Sequence, residues 1–231
     1  MSYSFDGAND RLLGSFTSTY ADPLTLAAWV KITDHLINTD TILMVGNSNA
    51  SQDQTYSIRT GNVDNTWRAF SRDTGQSAAS FTLAADNTWL PIVCKFSSNT
   101  SRTVYAGALA NSGTNEDARS VGDAIQHIAV GRQIDAAGEF LGLIAEVAVW
   151  TGDLSDEDIT SFLAGTAASS IDAGNLIGYW PLSADNATQA NLGLDAAGDL
   201  TVTGAVFDAD HPTITTPSTG VRSRRLLLGV G

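Results

Sequence analysis

The chain has 231 residues, 43% of them apolar, and sets 12 Lys and Arg against 25 Asp and Glu for a net charge of −13. That length suits one large β domain or two small ones, a single domain burying about 70–75% of its unfolded surface; the acidity leaves nucleic acid out of the expected partners. Cys94 stands alone, which excludes an internal disulfide, and neither a charged-then-apolar leader after Met1 nor an apolar run near about 18 residues is present, so the expectation is no signal peptide, no membrane span and folding in a reducing compartment.

Strand patterns with turn chemistry between them fill the sequence. Residues 3–5 begin the set, and Gly7, Ala8, Asn9 and Asp10 turn. Over 24–32, Leu24, Leu26, Ala28, Val30 and Ile32 share one face and Thr25, Ala27, Trp29 and Lys31 the other, the period of two expected of a half-buried strand. The apolar run 41–46 has the length of a buried strand. Residues 54–60 and 67–72 flank 61–65, which is rich in hairpin turn residues. Further strands are expected at 80–83, 89–96, 103–109, 125–131, 142–150, 176–181 and 200–203. About a dozen short strands with one helix predict an all-β chain of two packed antiparallel sheets.

The stretch 142–163 is the one around which the rest is organised. Ile144, Glu146, Ala148 and Trp150 alternate with Leu143, Ala145, Val147 and Val149, and the second set is wholly apolar, as a covered face requires. After a turn at Thr151, Gly152 and Asp153, Ser155 and Asp158 form an N-cap close to a capping box. Ile159, Phe162 and Leu163 supply the apolar stripe of one short helix, around 155–163, that ends by Gly165.

Three motifs carry a resemblance. The run Gly-x-Ile-x-Glu-Val-x-Val-Trp at 142–150 with Leu154, Ser155, Asp158 and Ile159 is similar to the strand and helix near the end of laminin G-like modules. SFDGANDRL at 4–12 followed by LTLAAWVKI at 24–32 resembles their opening strands, and NLIGYWPLSADN at 175–186 resembles their closing strand. These modules belong to the concanavalin A-like lectin/glucanase superfamily, and the matches span roughly 4–186 in the family's order. The resemblance implies an antiparallel two-sheet jelly-roll sandwich over residues 1–210. It implies little about function, because such jelly rolls serve as lectins, adhesion modules, glycosidases and structural domains.

Residues 211–231 differ from the rest. Arg222, Arg224 and Arg225 precede Leu226, Leu227 and Leu228, with no acid after Asp210. An exposed leucine triplet is costly, at about 25 cal/mol per Å², so this basic-apolar tail is expected to dock on a partner subunit.

Catalytic signals are thin. The resemblance would imply paired carboxylates for a glucanase, but this strand offers Glu146 alone, and Asp156, Glu157 and Asp158 fan out around a helix start. No enzyme is expected. Pentraxin-like relatives imply a calcium loop where Gln133 and Asp135 stand, although Arg132 beside them opposes a hard cation; no other cofactor is expected. For a sugar, Tyr56, Trp67 and the neighbouring Arg68 are candidates on strands flanking a hairpin, the competing reading being that both rings pack in the sandwich.

Three functions remain open. The first is a non-catalytic structural or interaction protein of a larger assembly, specifically a bacteriophage virion surface protein made in the host cytoplasm, a homo-oligomer or capsid decoration whose partners are other subunits. The second is a lectin for surface glycans, with or without calcium, which can coexist with the first. The third, disfavoured by the missing second carboxylate, is a glycoside hydrolase.

Overall fold

Alternation of apolar and polar side chains drives most of the chain into strands, and two sheets bury their apolar faces against each other. The computed structural model describes residues 1–32, 39–47, 54–73, 75–118, 125–135, 137–195 and 198–216. In chain order the strands are β1 (Ser2–Asp6), β2 (Arg11–Tyr20), β3 (Leu24–Lys31), β4 (Thr41–Gly46), β5 (Thr55–Thr60), β6 (Thr66–Arg72), β7 (Gln76–Thr82) and β8 (Leu90–Ser98). They continue as β9 (Ser101–Ala106), β10 (Ala108–Asn115), β11 (Ile125–Val130) and β12 (Leu141–Thr151). Helix α1 (Asp156–Leu163) and a 3-10 turn (Ala168–Ser170) follow, then β13 (Leu176–Trp180), β14 (Thr188–Gln189), β15 (Leu200–Thr203) and β16 (Val206–Asp208).

One sheet runs β10-β9-β8-β3-β12-β1-β16, with β13 also paired to β12; the other runs β14-β15-β2-β11-β4-β5-β6-β7. Every strand pair is antiparallel. The architecture is the expected two-sheet jelly-roll sandwich with a short helix.

Between the sheets lies the main core, to which β3 contributes Leu24, Leu26, Ala28 and Val30, as its alternation predicted. A second apolar layer covers the outer face of the first sheet. There Ala27, Trp29, Ala145, Ala148 and Trp150 meet Ile159, Phe162 and Leu163 of α1. These three helix residues stand at the i, i+3, i+4 spacing of one helical face. Ser155 caps the helix: its Oγ accepts from the Asp158 amide at 3.1 Å and donates to the Asp158 carboxylate at 2.6 Å, a cap worth about 1 kcal/mol.

The strand β12 corrects one expectation. Ile144 does not share a face with Ala148 and Trp150; it lies with Val147 and Val149 in the inter-sheet core. The cause is a β-bulge. Its register against β3 shifts between Ala145 and Ala148, and Glu146 takes a left-handed φ of 52°. One extra residue flips every later side chain. The expected strand 103–109 is likewise two strands, because Gly107, at φ 72°, turns the chain from β9 back into β10.

Strand β2 went unforeseen. Its inward apolar residues Leu12 and Phe16 bracket Gly14, where an added Cβ would sit 2.6 Å from the Asp199 carbonyl. A glycine admitted for close approach erases the alternation that marks a strand. Thr215 pairs with Thr166 beside α1, its amide donating to the Gly165 carbonyl at 2.7 Å. The tail residues Arg222, Arg224, Arg225, Leu226, Leu227 and Leu228 lie outside the described residues.

Candidate functional site

The outward face of β5 and β6 carries an unusual group of side chains. In β6, Trp67, Ala69 and Ser71 turn inward, so Arg68, Phe70 and Arg72 turn outward. The register sets Arg59 of β5 directly opposite Arg68. Like charges in that position repel, so the pairing costs stability unless something offsets it. The Phe70 ring is part of the offset: the Arg59 guanidinium carbon lies 4.0 Å from its centroid and that of Arg68 5.8 Å, a cation–π arrangement.

Arg59 is 5% exposed. Its Nε donates to Ser57 Oγ at 2.8 Å, while its Nη2 and the Nε of Arg68 donate to none of the described residues. Burial first, then the charge of Arg72, pushes the Arg59 guanidinium down to about 9 against the pull of Asp135, so it remains cationic at neutral pH. Arg59, Arg68 and Phe70 line a cavity of about 310 Å³ with Thr39, Asn62 and Gln76, a volume at the small end of ligand sites.

A second hollow adjoins it. Thr39 lines both, and beyond it Asp40, Glu139, Gly138 and Gly7 line about 320 Å³. Burial, then the charge of Glu139, raises the Asp40 carboxyl to about 6. These two acids lie some hundred positions apart in sequence, and nothing local in either neighbourhood announces the other.

Residues 131–135 and 137–140 lie between strands β11 and β12. The loop closes through Phe140 N–H to Gly131 O at 2.9 Å and is pinned to β4 by Thr41 N–H to Gly138 O at 2.8 Å. Ile134 packs on Met44 and Ala129. Gln133 and Asp135, the candidate calcium ligands, occupy this loop. Gln133 is buried, with its amide nitrogen against Gly138, and Asp135 lies in the field of Arg59 and Arg132. Among the described residues, no group of three His, Cys, Asp or Glu converges as a cation would require.

Tyr56 and Trp67 do not face this cavity, which corrects the expectation of sugar-stacking rings. Each is 1% exposed. Tyr56 reaches across the core to Phe96, ring centroids 4.7 Å apart, and the Trp67 indole N–H donates to Leu83 O at 2.9 Å. Parity decides this: Tyr56 in β5 and Trp67 in β6 hold inward positions, where apolar area is removed from water, while Phe70 holds an outward one. Arg68, the third residue of that group, does line the cavity.

Glu146 is buried in β12 of the other sheet, accepting from the Tyr179 hydroxyl at 2.6 Å. Burial raises its carboxyl above the ordinary range, and the tyrosine only partly counters this. Since the folded state favours the protonated acid, wild-type stability should fall as pH rises from about 4 through the raised value. Glu146→Gln keeps an acceptor for Tyr179, so its stability advantage over wild type should grow between pH 4 and pH 7. Urea titrations at the two pH values measure it; an advantage that shrinks with pH would contradict the assignment.

A laminin G-type family model, described as the concanavalin A-like lectin/glucanases superfamily, matches residues 6–160. The chain belongs to that superfamily. No match was found among curated protein sequences. Solved structures share the superfamily sandwich at low identity. A putative carbohydrate-binding protein from Bacteroides ovatus aligns with 93% of this chain and 61% of its own, at 13% identity and a TM-score of 0.64. The native heptameric SAP-like pentraxin of Limulus polyphemus aligns over 70% of this chain and 81% of its own, at 19% identity and a TM-score of 0.54. Tailspike protein 2 of an Escherichia coli O157:H7 bacteriophage aligns over 77% of this chain and 26% of its own, at 13% identity and a TM-score of 0.54. At such identities the likeness is one of fold. The concanavalin A-like sheet that holds the arginine cavity here is β14-β15-β2-β11-β4-β5-β6-β7, and the bulge and helix belong to the other sheet.

Proposed function

We propose that this chain is a non-catalytic attachment module that binds a surface glycan in the cavity lined by Arg59, Arg68 and Phe70, and that it works as a subunit of a larger assembly such as a bacteriophage virion surface. The observation that carries the reading is that cavity: a polar hollow of about 310 Å³ on a sheet face, lined by two arginines whose Nη2 (Arg59) and Nε (Arg68) have no partner among the described residues. The net charge of −13 is in keeping with a soluble component of an assembly, and the same fold occurs in a phage tailspike and in a putative carbohydrate-binding protein. Hydrolysis by Glu146 is disfavoured by its burial against Tyr179. Asp135 among arginines argues for binding that does not need calcium.

An array of neutral and acidic glycans, probed in calcium and again in chelator, tests the glycan half, and equal binding in both is expected. Silence in both conditions would sink it. Light scattering of the full chain and of a deletion of residues 221–231 tests the assembly half. A monomer in both cases, with unchanged partner binding, would remove that part.

A further inference from the structure

Two neighbouring hollows of opposite charge constrain what the glycan can be, and this step rests on the glycan-binding reading above. Three of the chain's twelve Lys and Arg residues, Arg59, Arg68 and Arg72, gather on two adjacent strands. Arg59 is 5% exposed, yet its Nη2 donates to none of the described residues. A buried guanidinium nitrogen with no acceptor among the described residues, beside a repelling Arg68, is expensive, and an anion in the cavity would add to the pull of Asp135 on Arg59 and offset the charge of both arginines. Planar guanidinium groups suit a carboxylate or sulfate, which they engage with paired N–H bonds. Asn62, Gln76 and Thr39 complete the lining with amide and hydroxyl groups, the partners that sugar hydroxyls take.

Beyond Thr39 the sign reverses. Asp40 and Glu139 line the adjoining hollow, where further negative charge would be repelled but hydroxyl groups would find acceptors. A polyanion therefore fits poorly along the two hollows together. We infer that the site takes a saccharide bearing a single anionic group, a carboxylate or a sulfate, which docks between Arg59 and Arg68 while its neutral hydroxyls extend past Thr39 toward Asp40 and Glu139.

The test uses the full chain, as wild type, Arg68→Gln and Arg59→Gln, on an array holding neutral glycans, glycans with one uronic or sialic acid, glycans with one sulfate, and heavily sulfated chains. Thermal midpoints of all three proteins establish that each is folded. Because Arg59 is buried, Arg68→Gln carries the decision should Arg59→Gln fail to fold. The expected result is binding to singly charged glycans at least tenfold above their neutral counterparts, and a loss of about tenfold in Arg68→Gln, the size of one charge-assisted bond. The uronate and sulfate spots tell the two anions apart. Binding to neutral glycans alone, preference for the heavily sulfated chains, or unchanged binding in Arg68→Gln would overturn the inference and leave the glycan reading standing. Silence on every spot would overturn both.

Discussion

Trp150→Ala should lower the unfolding free energy by about 4 kcal/mol, within the range for emptying a large aromatic from a core. Trp150 is fully buried between β12 and the helical layer. Its indole N–H donates to the Ile171 carbonyl at 2.9 Å, and its ring stands edge-on to Phe162, centroids 6.1 Å apart. Alanine therefore leaves a cavity and also strands a buried carbonyl, two losses that add. Guanidinium titration at pH 7 would measure the change. A loss below about 1 kcal/mol would mean that α1 and the 3-10 turn are not part of the cooperative unit.

The second large effect is expected at Asp195. Its carboxylate accepts from the Thr17 amide at 2.9 Å and hydroxyl at 2.7 Å, from the Ser18 amide at 3.2 Å, and from the Tyr20 hydroxyl at 3.0 Å. Its own amide donates to Ile177 O at 3.1 Å on β13, so this one residue ties the end of β2 in one sheet to β13 in the other. Asp195→Ala should cost about 3 kcal/mol, since several donors lose a charged acceptor together. Burial alone would raise the carboxyl, but the donors from Thr17, Ser18 and Tyr20 more than offset that and hold it below its ordinary value. A lowered folded value means the contribution is full above about pH 4 and is lost as pH falls through the lowered value. The gap between wild type and variant should thus be constant near neutrality and close below about pH 4. A gap that persists unchanged in strong acid would contradict the charged network.

Residues with strong local patterns were readable from the sequence because their signal and their structure share one cause. The alternation of β3 is the burial of Leu24, Leu26, Ala28 and Val30, and the pairing of Ser155 with Asp158 is the cap itself. The edge strand β10, ALANSGTN, gave no such signal, for its side chains are exposed or half-exposed throughout. Nor did β14 and β16, two and three residues long, which exist only because a neighbouring strand offers hydrogen-bond partners.

The site was harder to read. Arg68 was singled out as a neighbour of Trp67, but that inward-facing neighbour is core, and Arg68 shares the outward face with Arg59 and Phe70. Arg59 could have been noticed as a charge in the alternation of residues 54–60, yet which face of that strand would meet a cavity depends on what covers it.

Composition and periodicity alone determined that this chain folds as two antiparallel sheets with one capped helix, because those features arise between residues a few positions apart. Only the tertiary structure decided which way β12 turns after Glu146, that Tyr56 and Trp67 belong to the core, and that Arg59 and Arg68 line one hollow and Asp40 and Glu139 another with Thr39 common to both. Convergence of that kind is set by strand order and register, and no stretch of sequence short enough to show a pattern contains them.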